Sequence, residues 1–207
     1  MSSVGLLFVG AVLLLDGLLF LGKADAKAVA VFNLFVGTLQ TVIPFYLIAT
    51  AQTPDAILGA AGIFLFGFTY LYVGIVNLTD IPSDGLGWFA LWVAVLAVGF
   101  GVTNIVRFDD LNTGLLWLQW AVLWALFWAV LALGQVQLTA LAGWLTVIQS
   151  VTTCTIPGFL LLLGSWSDVP TWAVALSIVL SVVALAPLAR RTIGARASAP
   201  TPVPTAA

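Results

Sequence analysis

Of the 207 residues, 62% are apolar and 7% are charged, and the mean hydropathy is +1.19, whereas a domain in water carries about 25% charged residues. Six Lys and Arg, eight acidic residues that are all Asp, and no His exclude a soluble fold, a basic stripe for nucleic acid and catalysis by the commonest general base. The single cysteine, Cys154, excludes an intrachain disulfide, and one thiol without any His makes no zinc site, so neither metal nor cofactor is expected. Such a surface suits lipid tails, and the chain reads as an all-α integral membrane protein.

A helix needs about 20 apolar residues to cross the hydrocarbon core. The start, Met1-Ser2-Ser3, has no basic residues, so the first apolar stretch, 4–22, is read as a retained helix and not as a signal peptide. It ends in the charged turn Gly22-Lys23-Ala24-Asp25-Ala26-Lys27. Further spans are predicted over 27–50, 59–79, 86–106, 114–134, 142–164 and 170–189, which gives a transmembrane domain over 1–189 with about seven helices. The linkers are short, Gln52-Thr53-Pro54-Asp55 for example, and force neighbouring helices to run antiparallel. Membrane barrels would need alternating segments of about ten residues, and these runs are apolar on every side. Beyond the last span, Ala, Ser, Thr and Pro predict a disordered tail over 190–207. Lys23 and Lys27 flank the first turn, and Arg190, Arg191 and Arg196 follow the seventh span. Seven spans put both clusters on one side, which is the cytoplasm, leaving the N-terminus outside and the C-terminus inside.

Three patterns inside the spans are candidates for function. In the fifth span Trp117, Trp120, Trp124 and Trp128 share one helical face. The stripe covers about 16 Å at ~1.5 Å per residue, too long for one interfacial belt. Packing against neighbouring helices and lining a pore both remain open, and an indole lining suits a small, planar, neutral solute. In the third span Phe66 and Tyr70 lie one turn apart, with Gly67 allowing close helix approach. Aromatic packing and a functional surface stand side by side there. In the sixth span Thr146, Gln149, Ser150 and Thr153 form a polar stripe. Gln149 reads either as glue between helices or as a hydrogen-bonding station for a permeating amide. Asp16 is the one acid inside a span. It reads as a proton relay or as a group reaching the interface to pair with Lys23 or Lys27.

The stretches Leu6-Leu7-Phe8-Val9-Gly10, Phe32-Asn33-Leu34-Phe35-Val36-Gly37, Leu65-Phe66-Gly67-Phe68-Thr69-Tyr70-Leu71-Tyr72 and Trp117-Leu118-Gln119-Trp120-Ala121-Val122-Leu123-Trp124 resemble the AmiS/UreI family of short-chain amide channels and acid-activated urea channels. The resemblance spans roughly the first 165 residues. It implies a hexameric ring with one pore per protomer, the first six spans forming three helix hairpins about a pseudo-threefold axis. It also implies a pore lined by Phe66, Tyr70, Trp117, Trp120, Leu123 and Trp124, with Val9 and Leu13 in the same role. Two departures stand out. The family's acid-gated channel carries His in the loop that is here 52–55, and Gln149 replaces a carboxylate of its last span.

The expected function is therefore a passive channel for urea or short aliphatic amides in a bacterial cytoplasmic membrane, not acid-gated, serving a cytoplasmic amidase or urease. The alternative is a proton-coupled transporter working through Asp16. A seven-helix photoreceptor needs a buried lysine in its last span, and 170–189 has none. No nucleophile–base pair that would make an enzyme is found.

Overall fold

Three polar side chains fix where helices begin. Asp25 accepts from the Ala28 amide (3.0 Å), Thr53 from Ala56 (3.2 Å) and Asp110 from Thr113 (2.9 Å), each satisfying a backbone donor that a helix start leaves orphaned. The computed structural model describes residues 2–79 and 81–197, with side chains as far as Arg190. Its long helices are α1 (Ser2–Phe20), α2 (Ala26–Ala49), α3 (Pro54–Leu78), α4 (Asp84–Arg107) and α5 (Leu111–Leu131). There follow α6 (Thr139–Gln149), a π-helical segment (Ser150–Thr155), α7 (Ile156–Leu162) and α8 (Thr171–Ala197). With α6, the π segment and α7 taken as one stretch, seven helical stretches are long and apolar enough to cross a membrane, and no strand occurs among the described residues. Large apolar side chains such as Phe35 and Val95 point outward, 67% and 64% exposed, as a lipid-facing surface requires.

Gly22 and Gly134 close α1 and α5 with φ of 67° and 62°, the left-handed turn that glycine adopts without a Cβ penalty. At Gly22 the turn returns its own amide to Leu19 and the Lys23 amide to Leu18.

The sixth stretch, expected as one regular helix, is broken in its middle. Pro157 has no N–H to give to the preceding turn. The chain widens into π geometry just before it, with the Thr155 hydroxyl reaching back to the Ser150 carbonyl at 2.8 Å. The last helix also continues past Arg190 to Ala197. Ala, Leu and Arg at 188–191 favour helix, so it runs on into the stretch expected as a tail. Residues 198–207 and the side chains of Arg191 and Arg196 lie outside the described residues.

The closest helix pairs are α2 with α3, α4 with α5, and α1 with the sixth stretch. Two of these are hairpins of consecutive helices. The third joins the first span to the sixth, so the chain closes on its own beginning. Small residues allow this: a Cβ at Gly37 would lie 2.6 Å from the Leu71 amide nitrogen, and one at Gly17 would lie 2.9 Å from the Gly143 carbonyl. The seventh span rests against α5 and α6 on the outside of this arrangement.

Candidate functional site

The aromatic residues of α3 and α5 meet at the centre of the bundle. Phe66 lies 4.9 Å from Trp120, nearly perpendicular to it at 87°, and 4.9 Å from Trp124. Trp117 sits 5.8 Å from Phe66 and 5.2 Å from Trp120, and stacks on Phe100 at 4.7 Å. Tyr70, one turn along α3, lies 6.4 Å from Phe66. Phe66, Tyr70, Trp117, Trp120 and Trp124 are buried, and Phe100 is half-buried. The i, i+3, i+7 spacing of Trp117, Trp120 and Trp124 brings them to one face. Trp128 ends the row only half-buried, beside Trp88 at 6.1 Å.

Two cavities abut on this cluster. The larger, about 320 Å³, opens towards the Lys23 end of the bundle, and Leu13, Asp16, Tyr70, Asn77, Leu123 and Trp124 belong to its wall. The smaller, about 130 Å³, lies towards the chain's N-terminal end between Ser3, Leu6, Gln40, Trp117 and Leu161. Phe66 and Trp120 belong to both walls. They form the partition, and the two cavities with the partition follow the axis of α5.

Trp120 is held in that partition from behind. Its indole N–H donates to the Thr153 hydroxyl at 2.9 Å, and Thr153 donates in turn to the Gln149 carbonyl at 2.7 Å. Thr153 lies in the π segment, so the irregular turn presents the anchor of the central indole. This fits the frequent placement of π turns at functional sites.

Seven of the nine expected lining residues reach a cavity wall: Leu13, Phe66, Tyr70, Trp117, Trp120, Leu123 and Trp124. Val9 and Gln149 line neither cavity. Val9 is wholly enclosed among core side chains. Gln149 donates to the Gln119 carbonyl of α5 at 3.1 Å, which is the gluing role that membrane amides commonly take. Thr146 and Ser150 likewise spend their hydroxyls on carbonyls of their own turn.

Asp16 does not pair with Lys23 or Lys27, both of which are exposed. Its Oδ1 accepts from Asn33 Nδ2 at 2.7 Å across the α1–α2 contact, because α2 turns Asn33 inward at the depth of Asp16. The one ion pair among the described residues ties Arg107 to Asp55 at 2.6 Å, at the opposite end. Polar residues not singled out in the sequence also surround the cavities. Asn33 orients Asp16, Gln40 brings an unpartnered buried Oε1 to the smaller cavity, and Asn77 stands on the wall of the larger. An amide inside a predicted span was the available signal for all three.

The arrangement offers flat aromatic faces, aliphatic walls and a few hydrogen-bonding groups. Among the described residues no metal-binding cluster of His, Cys or acids is present.

The chain is similar to known membrane transporters and channels. The family model described as AmiS/UreI family transporter matches residues 1–165. The chain is 43% identical to a putative transporter protein, AmiS2, of Rhodococcus erythropolis, over 99% of this chain and 98% of that one. It is 40% identical to a putative amidate substrates transporter protein of Mycolicibacterium smegmatis, over 100% and 99% of the two chains. The solved urea channel of Helicobacter pylori in its closed state superimposes with a TM-score of 0.73 at 31% identity, covering 80% of this chain and 100% of that one.

Proposed function

The chain belongs to the AmiS/UreI family of membrane transporters, and from that premise we propose that it is a passive channel for urea or short-chain aliphatic amides. Its relatives are named as transporters and channels, and it is not an enzyme. The observation that carries the proposal is the pair of cavities meeting at Phe66 and Trp120. A planar solute slides between ring faces and indole edges there, while an ion would lose its hydration with nothing to replace it.

In this reading the lining is Leu13, Phe66, Tyr70, Trp117, Trp120, Leu123 and Trp124, and Val9 and Gln149 support it from behind. Each protomer of a homohexamer holds its own pore. The first six spans surround it as three pseudo-threefold-related helix pairs, which the close pairing of α2 with α3, of α4 with α5 and of the first span with the sixth supports. The protein sits in the bacterial cytoplasmic membrane with its N-terminus outside, so the larger cavity faces the cytoplasm. The membrane domain covers 1–189, and a cytoplasmic amidase or urease consumes the solute. The loop at 52–55 carries no His, and the pore is not acid-gated.

A second reading, proton-coupled transport, is favoured by one observation: the buried carboxylate of Asp16 on the wall of the larger cavity. Stopped-flow uptake of urea and acetamide into proteoliposomes separates the two. A passive channel equilibrates both solutes at the same rate at pH 5 and pH 7.5, carries no ionic current in planar bilayers, and ignores an imposed proton gradient. Accumulation above the external concentration under that gradient establishes coupling instead.

A further inference from the structure

We propose that Asp16 is the solute-recognition residue of the larger cavity, its Oδ2 accepting a hydrogen bond from the NH₂ group of the permeating amide. The inference rests on the channel reading and names the group within that pore which reads the solute.

The geometry divides the carboxylate's two oxygens. Oδ1 is committed to Asn33 Nδ2 at 2.7 Å, and Asn33 is itself tied to the Val29 carbonyl at 3.3 Å. Oδ2 has no partner among the described residues, although Asp16 is only 6% exposed and forms part of the cavity wall. Asn33 therefore fixes the rotamer and leaves one strong acceptor facing the space the solute occupies. The charged groups nearest in sequence, Lys23 and Lys27, are exposed and form no ion pair with it.

The rest of that wall is mostly carbon and ring faces, from Leu13, Phe66, Leu123, Trp124 and Phe127 among others. Its other acceptors are neutral, the oxygens of Thr69, Tyr70, Asn77, Ser83 and Thr139, and Asp16 is its one carboxylate; a charged acceptor bonds an N–H about twice as strongly as a neutral one. Leu13 and Asp16 lie three residues apart on one face of α1. A solute that clears the Phe66–Trp120 partition thus meets the carboxylate beside Leu13. Carrying two N–H donors through an apolar slot without an acceptor is costly, and a site built to bond an N–H rejects an analogue that lacks it. Asp16 separates primary amides from solutes of equal size with fewer N–H groups.

Isomers test this without a change of volume. Propionamide has two N–H groups and N-methylacetamide has one. Butyramide and N,N-dimethylacetamide form a second pair, with two and none. Permeabilities are measured by stopped flow in proteoliposomes, with protein-free liposomes subtracted. In the wild type the primary amide is expected to lead its isomer by at least about fivefold in both pairs. In Asp16→Ala, with oligomer size unchanged by gel filtration, the lead should shrink to less than half its wild-type value. Equal permeation of both isomers by the wild type overturns the assignment, and this arm needs no variant to fold. An intact Asp16→Ala protein with the wild-type lead overturns it too, as does one that loses only gradient-driven accumulation, which would make Asp16 a proton carrier. Wild-type liposomes that pass no amide faster than bare lipid bring down the channel reading itself, and the assignment with it.

Discussion

The fifth and sixth spans each carry a row of conspicuous side chains at helical spacing, yet only one row reaches the cavities. Trp117, Trp120 and Trp124 of α5 stand on cavity walls, while Thr146, Gln149, Ser150 and Thr153 turn into packing and backbone hydrogen bonds. The difference lies in what each side chain can satisfy locally. A hydroxyl in a membrane helix finds the carbonyl one turn back, so its one donor is used within its own helix. An indole has no such outlet: its large surface must fill space between helices, and its single N–H must look elsewhere for an acceptor. The two rows touch at one point, where Trp120 donates to Thr153. The polar row thus reaches the cavities only through an aromatic residue.

The largest expected effect comes from removing an indole from the path. Trp124→Ala deletes roughly 150–250 Å² of aromatic surface and widens the slot beside Phe66. Glycerol permeability should rise about tenfold or more relative to urea, a change of ~1.4 kcal/mol in the barrier difference, with the oligomer intact. An intact oligomer with wild-type selectivity would place Trp124 in packing alone and erase the contrast between the two spans.

Thr153→Val cuts the single link between the rows. The Trp120 N–H loses its acceptor at a cost of about 1–3 kcal/mol, and the ring is free to tilt. Urea flux is expected to shift by a few fold in either direction, accompanied by changed tryptophan fluorescence. Unchanged flux and emission would mean that ring packing alone fixes Trp120.

Gln149→Leu should do least. It keeps the side-chain volume, removes the bond to the Gln119 carbonyl and also removes a buried Oε1 that has no partner. Losing both together is close to neutral, so stability should change by less than about 1 kcal/mol and solute selectivity not at all. A selectivity change would return Gln149 to the solute path.

Much of this was legible in the sequence, because membrane helices announce themselves by length and apolar content, and Trp117 to Trp124 by their spacing. The helix starts capped by Asp25, Thr53 and Asp110 lie ahead of the expected spans, which began at 27, 59 and 114, because a count of apolar residues passes over a polar first turn. Residues whose role depends on a partner far along the chain were harder. Whether Gln149 faces solute or α5 is decided by how the sixth stretch is rotated, and the π turn before Pro157 alters that rotation midway. Asp16 looked like a neighbour of Lys23 because they are near in sequence. Its partner, Asn33, comes from the depth at which α1 and α2 cross, which spacing on one helix cannot reveal.

The pairing of α1 with the sixth stretch sets an order of events during synthesis. The face of α1 at Gly10 and Gly17 is shaped for Ser150, Thr155 and Gly143, which leave the ribosome about 140 residues later. At about 5–20 residues per second that is a wait of roughly 7–28 s, during which the first helix sits in the bilayer with its grooved side unfilled. The α2–α3 and α4–α5 hairpins can dock as they emerge, but the ring of helices shuts only when the sixth arrives. A nascent chain stalled before that point would present an open cleft to lipid and quality-control proteases, so surveillance of this protein should hinge on one late docking step.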